Sequence, residues 1–275
     1  MKKINTEVKI LNIAVCIKQV PASTEVKINP ETKTLMREGT DTQINPFDLY
    51  ALEEAVRIKE RRTKEGLETN VTVITMGPPQ AETAVKEAIS LGADDGIILC
   101  DRAFAGSDTW CTSYALACGC KKYGADIILC GQQAIDGDTG QVGPGIAVHL
   151  AYAQTAYGAE VRELTEKSIT VKRLVEDGYE VCKVSLPAVV TVVKEINEPR
   201  TPSLRGKMAA KKFKPTIWSA DDVNADKEKL GLNGSPTRVV KIMTPPSRTG
   251  GDKIEGEPEV LVQAMFDTFK KLEVI

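Results

Sequence analysis

The sequence predicts an α/β fold: a doubly wound, mostly parallel sheet carrying a β-hairpin insertion and an extended C-terminal arm. Three observations support it. Short apolar runs such as ILNIAVCIK (10–18) and NVTVITMG (70–77) alternate with segments of helical spacing, the pattern of strands covered on both faces. Residues 168–186, SITVKRLVEDGYEVCKVSL, place two runs around Asp177–Gly178, a hairpin turn signal. From about residue 215 the strand–helix alternation stops.

The elements follow in order. The first strand, 10–18, is apolar with little alternation, and EVKINPETKTLMREG (25–39) reads as hairpin-like, with Asn29–Pro30 as its turn. A helix is expected over 45–66, with Asn45 as N-cap, Pro46 in the first turn and Gly66 as its stop. Leu49, Leu52, Val56 and Lys59 share a face, which turns Arg57, Arg61 and Arg62 outward. A strand at 70–77 leads into a helix at 78–92, opened by proline and closed by glycine. The short strand 96–100 leads into a helix at 107–124, on which Trp110, Tyr114, Ala117 and Cys118 form a stripe read as core. The strand 126–130 ends at a glycine-rich loop, and a helix begins in QVGPGIAVHLAYA (141–153). After the hairpin, PAVVTVV (187–193) returns as a buried strand, followed by the polar, basic stretch KEINEPRTPSLRGKMAAKKFKP (194–215). The remainder holds an extended segment, TPPSRTGGDKIEGEPE (244–259), and a closing amphipathic helix. Its apolar residues Ile217, Trp218, Val239, Val240, Ile242 and Met243 favour wrapping a partner over disorder.

The totals exclude several classes. A chain of 275 residues buries a core without disulfides or metal. Its 36 basic and 38 acidic residues, net −2, give no electrostatic reason for nucleic acid or an anionic membrane. No apolar run is long enough to span a bilayer and no signal-peptide pattern opens the chain, so no membrane partner is expected. Seven cysteines without a Cys-x-x-Cys are read as buried reduced thiols of a cytoplasmic protein. His149, the single histidine, is an ordinary helix residue on this reading, and no metal site is expected.

Doubly wound sheets bind ligands beyond the carboxyl ends of their strands. Here those ends are CIKQVP (16–21), TMGPP (75–79), CDRAFAGSDT (100–109) and CGQQAIDGDTG (130–140). The stretch GQQAIDGDTGQVGPG (131–145) contains five glycines and two aspartates. Backbone N–H groups at a helix N-terminus bind phosphate, with Gly137, Gly140 and Gly143 permitting close approach and Thr139 adding a hydroxyl. Asp136 and Asp138 then shape the loop through Asx turns, and their charge favours a diphosphate diester or monophosphate over a free triphosphate. By itself the loop fits a ligand cradle and a ligand-free glycine turn about equally. It is neither a Walker loop nor a Gly-x-Gly-x-x-Gly fingerprint.

Several stretches together resemble one family. GQQAIDGDTGQVGPG, NPFDLYALEEAVRIKE (45–60), CIKQVP, VTVITMGPPQAE (71–82) and EPRTPSLRGKMAAKK (198–212) are similar, in order from about residue 10 to 250, to the small (β) subunit of electron-transfer flavoproteins. The resemblance implies an adenine-nucleotide hydrolase-like domain over 1–214 and an arm over 215–275 that wraps a larger α subunit carrying a redox FAD. Ordinary members hold a structural AMP in the β site and shuttle single electrons from acyl-CoA dehydrogenases. Bifurcating members hold a second FAD there, take hydride from NADH, and divide the electrons. One goes to ferredoxin or flavodoxin, the other through the α-subunit FAD to an acyl-CoA dehydrogenase or enoyl-CoA reductase.

CDRAFAGSDT and DGDTGQVGP resemble the bifurcating branch. Ala103, Ala105, Gly106 and Ser107 are read as leaving room for a flavin, with Asp101, Asp108 and Thr109 as polar contacts. The resemblance places the nucleotide against Cys16, Asn45, Asp48, Met76 and Gly77. It adds Gly131, Gln133, Ala134, Asp136, Gly137, Asp138, Thr139, Gly140, Gln141, Val142 and Gly143. Family members often carry alanine where Gly140 stands. Residues 195–211 resemble the recognition loop that docks on the dehydrogenase. Leu204 is the apolar anchor there, Arg200, Arg205 and Lys207 form its charged rim, and Met208 stands beside it. The rival readings are a stand-alone adenine-nucleotide hydrolase or ligase and a purely structural AMP subunit. The first lacks its Ser-Gly-Gly loop, because 18–23 reads KQVPAS.

Overall fold

The computed structural model describes residues 10–22, 42–240 and 253–275. The hairpin expected at 25–39 lies outside them, as do Ile242, Met243 and most of the extended segment at 244–259. Two compact units, Met1–Val239 and Val240–Ile275, divide the chain.

In the first unit the chain runs through β1 (Leu11–Cys16), β2 (Gln19–Pro21), β3 (Thr42–Ile44), α1 (Pro46–Lys64), β4 (Thr69–Met76), α2 (Glu82–Leu91) and β5 (Asp95–Leu99). It continues through α3 (Thr109–Tyr123), β6 (Ile127–Gly131), α4 (Val142–Leu150), β7 (Ala153–Leu164), β8 (Ser168–Val175), β9 (Gly178–Ser185) and β10 (Ala188–Val192). The last elements are α5 (Leu204–Lys212), β11 (Thr216–Trp218) and the short α6 (Gly231–Gly234). One nine-stranded sheet has the order β11-β5-β4-β1-β6-β10-β7-β8-β9, and β2 pairs with β3 apart from it. Pairings from β11 to β7 are parallel, while β7–β8 and β8–β9 are antiparallel. The predicted doubly wound α/β fold is therefore the observed one.

The period of two along each strand sorts side chains between two cores. Ile13, Val15, Val73 and Leu129 pack on one face with Leu52 and Ala55 of α1 and Val85 and Ala88 of α2. Ala14, Cys16, Ile74, Ile128 and Cys130 face the other way, against Ala115, Leu116 and Cys120 of α3 and Ile146 and Ala147 of α4.

The structure departs from the sequence reading in five places. α4 stops at Leu150, where Ala151 turns left-handed at φ 54°, so the next residues become β7, a strand without a clean apolar alternation. The antiparallel insertion therefore has three strands rather than two. The basic stretch after β10 contains α5, capped by the Ser203 side chain accepting from Gly206 N–H. Residues 216–218, read as arm, form β11 against β5. Asn45 stands at the N-cap position of α1, but its side chain makes no capping bond. Finally, Trp110 is 48% exposed and meets His149 with ring centroids 4.4 Å apart, so the stripe is core at Ala117, with Tyr114 and Cys118 packed against that core, but not at Trp110. Burial holds the His149 imidazole below its usual range.

In the second unit, α7 (Pro258–Lys271) has Pro258 in its first turn, and Val262, Met265, Phe266 and Phe269 are open along it. Among the described residues no helix is long and apolar enough to cross a membrane, and no group of side chains forms a metal cage.

Candidate nucleotide site and partner-docking helix

The carboxyl ends of β5, β4, β1 and β6 lie side by side, with Cys16 level with Ile74 and Cys130, and Met76 level with Leu99. The chain grows outward from β1 in both directions, so the β1–β6 junction is the switch point where such sheets bind ligands. Asp48 sits across it, only 7% exposed. One carboxylate oxygen accepts from Lys18 N–H at 2.8 Å and the other from Gly131 N–H at 3.2 Å. Burial raises its pKa to about 7, against the opposing pull of these donors. Gly131 is required here, because a Cβ would lie 2.5 Å from the Asp48 carboxylate.

Asn45, fully buried, ties the glycine loop down. Its Nδ2 donates to Gln133 O at 2.8 Å and its Oδ1 accepts from Ile135 N–H at 3.1 Å. That use of the side chain explains the missing helix cap. The two loop carboxylates are explained differently from the expected Asx turns. Asp136 pairs with Lys18 Nζ at 2.6 Å, and Asp138 accepts from the Gln133 side chain. The N–H groups of Gly137 and Asp138 both turn back to Ala134 O. Asp138 and Gly140 adopt left-handed φ values of 55° and 63°, which aims the following backbone toward α4. Thr139 Oγ1 meets Thr109 Oγ1 at 3.4 Å, joining the loop to α3. Among the described residues no acceptor meets the N–H groups of Thr139, Gly140, Gln141, Val142 or Gly143. This row of free donors at a helix N-terminus suits a phosphate ester, so the residues present fit a nucleotide.

Cys16 and Cys130 floor the junction. Cys16 Sγ lies 3.9 Å from Cys120 Sγ. That contact raises the Cys16 thiol well above its usual range, and the contact with Cys16 does the same for Cys130, so both are neutral thiols. Met76 is half-buried at the end of β4, and Gly77 N–H donates to Leu99 O. Lys18 was not singled out from the sequence. Its signal is a cation directly after the first strand, in a site whose loop carries two carboxylates.

Asp101 and Asp108 behave differently from the expectation. Asp101 accepts from Ala103 N–H and from Ala220 N–H. Asp108 caps α3 with one oxygen and accepts from Thr237 with the other. The chain's own segment 230–237 lies against the small residues beside them, although Ala105 and Gly106 stay exposed. A Cβ on Gly231 would lie 2.5 Å from Ala103 O, and one on Gly106 would lie 3.3 Å from Leu232 Cβ.

On the segment expected to dock a partner, Leu204 is 78% exposed and Met208, one turn later on α5, is 59% exposed. Arg205 and Lys207 are exposed beside them. Arg200 is not a free rim charge. Its guanidinium clasps Glu53 at 2.7 Å and Glu60 at 2.7 Å, and its N–H donates to Glu53 at 3.2 Å. Arg200 and then Arg57 hold the Glu53 carboxyl below its ordinary pKa despite burial.

Comparison with known proteins agrees with this architecture. The family model described as "Electron transfer flavoprotein domain" matches residues 32–223. The electron transfer flavoprotein subunit beta of Thermoanaerobacterium thermosaccharolyticum is 47% identical over 266 residues, covering 96% of this chain and 100% of the relative. The caffeyl-CoA reductase-Etf complex subunit CarD of Acetobacterium woodii is 47% identical over 247 residues, 90% of this chain and 92% of the relative. Protein FixA of Azorhizobium caulinodans is 42% identical over 276 residues, 96% of each chain. The domain match and these near full-length likenesses place the chain in the electron transfer flavoprotein family, as a beta subunit with an alpha-subunit partner.

Proposed function

We propose that the crevice over the β1–β6 junction holds FAD, and that the chain is the beta subunit of a bifurcating electron-transfer flavoprotein. The observation that carries the nucleotide is the row of unpaired N–H donors from Thr139 to Gly143 at the start of α4. The resemblance of CDRAFAGSDT and DGDTGQVGP to the bifurcating branch supports that reading, and the likeness to the subunit of a caffeyl-CoA reductase-Etf complex supports a CoA-ester reductase as partner. When bound, a flavin supplies acceptance of hydride from NADH and delivery of single electrons to two acceptors. The acceptors on this reading are ferredoxin or flavodoxin and, through the alpha-subunit FAD, an acyl-CoA dehydrogenase or enoyl-CoA reductase. The protein's own part is positional. Asn45 fixes the loop, Asp48 joins β1 to β6, and the α4 terminus neutralises phosphate charge. Leu204 and Met208 offer the dehydrogenase an apolar anchor with Arg205 and Lys207 at its rim.

A second reading keeps AMP in the crevice and single-electron shuttling as the activity. It is favoured by one observation: Gly231 and Leu232 lie close against the loop at Ala103, Ala105 and Gly106, where room for a flavin is expected. The deciding experiment is extraction of nucleotide from the purified alpha–beta complex. Two FAD and no AMP per heterodimer, with NADH-dependent ferredoxin reduction, supports the first reading. One FAD and one AMP supports the second.

A further inference from the structure

We infer that Asp108 is a positioning residue that pins the exit of the C-terminal arm, rather than a cofactor contact. The loop at 100–109 and the segment at 219–237 are joined along their length. Asp101 accepts from Ala220 N–H at 3.1 Å. Ser107 Oγ accepts from Gly231 N–H at 3.1 Å. Ala105 O accepts from Leu232 N–H at 3.2 Å. Asp108 N–H donates to Ser235 Oγ at 2.8 Å, and that hydroxyl in turn donates to Gly231 O at 2.7 Å. The series ends at Thr237, whose N–H and hydroxyl both donate to Asp108 Oδ2, at 3.0 and 2.9 Å.

Two residues later the compact unit ends at Val239, and Val239 and Val240 are 78% and 88% exposed. Among the described residues, the last polar tie before the arm is therefore a charge-assisted pair of bonds on one carboxylate oxygen. The other oxygen is occupied in capping α3, accepting from Trp110 N–H at 3.0 Å and Cys111 N–H at 3.1 Å. Such an anchor fixes where the arm begins and reduces the conformational entropy that the arm loses on docking. The small residues of the loop suit this use, since the segment lies close against Ala103, Ala105 and Gly106. The inference rests on the proposed assembly, in which the arm embraces the larger subunit.

The test uses the full heterodimer and reads its subunit exchange with a tagged copy of this chain, alongside bound nucleotide. Asp108→Asn keeps an α3 cap, because asparagine is a good N-cap. It also sets an amide donor against either the Thr237 N–H or the helix. Thr237→Val removes the hydroxyl bond and leaves the α3 cap untouched. Both variants are expected to speed exchange, Asp108→Asn by about tenfold, with nucleotide per assembled heterodimer unchanged. Unchanged exchange in both overturns the anchor. So does loss of nucleotide with normal exchange, which makes Asp108 a cofactor contact. Acceleration by Asp108→Asn alone shows that the Thr237 hydroxyl carries none of the tie and overturns the paired anchor. A wild-type chain that never assembles with the larger subunit overturns the assembly reading, and the anchor with it.

Discussion

Asp48 holds Gly131 at the switch point of the sheet: its carboxylate accepts the Gly131 N–H at 3.2 Å while its second oxygen accepts from Lys18 at 2.8 Å. One buried side chain on α1 thus sets the spacing of the two strands that frame the nucleotide crevice. No water replaces these bonds easily, because Asp48 is 7% exposed.

The pH dependence of stability follows from that burial. The Asp48 pKa rises from 3.8 to about 7 on folding. The folded chain therefore binds the proton more tightly, and this group's contribution is full below 3.8 and declines as pH rises through about 7. Asp48→Asn is expected to flatten the stability profile in that window. Thermal unfolding of the heterodimer between pH 5 and 8 measures it, and an unaltered slope rejects the assignment.

Asn45→Ala removes both ties to the glycine loop and leaves Gln133 O and Ile135 N–H without their partner. A cost of about 2 to 3 kcal/mol is expected, concentrated in the loop. Nucleotide per heterodimer should fall sharply while far-UV circular dichroism stays close to wild type. Full nucleotide content in the variant contradicts the role of the loop.

Arg200→Ala strips Glu53, 4% exposed, of its bidentate partner. Removing one member of such a buried pair costs about 3 kcal/mol, moderated here by Arg57 at 2.6 Å. Because the folded Glu53 pKa lies below its ordinary value of 4.5, the stability it contributes is present above that pH and is lost as pH falls through the folded value. Arg200→Ala should therefore lower the urea midpoint at pH 7 and weaken the acid dependence. Arg200→Lys should recover part of it, since lysine cannot form the planar fork.

Leu204→Ala should slow electron transfer with the dehydrogenase or reductase partner roughly tenfold, with nucleotide content normal. Met208→Ala should act in the same direction, since the two side chains lie one turn apart on α5. Steady-state reduction against dehydrogenase concentration measures both, and the loss should appear as a raised KM. Loss of bound nucleotide in either variant removes α5 from the docking role.

Much of the fold was legible in the chain itself. Buried parallel strands need apolar runs, and helices between them need periodic faces, so 10–18, 70–77 and 126–130 announced β1, β4 and β6. What escaped was set by partners distant in sequence. β11 has only three residues and becomes a strand because β5 presents an open edge. β7 lies between β10 and β8, and its half-exposed residues carry no clean alternation.

The site shows the same division. Residue type and order alone determined the glycine loop, its place between a strand and a helix, and the family to which the chain belongs. Only the tertiary structure decided how each carboxylate is used. Asp136 meets Lys18 across 118 positions, Arg200 meets Glu53 across 147, and Asp108 meets Thr237 across 129. A carboxylate in a sequence is a charge with two acceptor oxygens. Whether it faces a ligand, a helix end or the chain's own exit depends on which donors folding brings within about 3 Å, and that distance is a property of the packed chain.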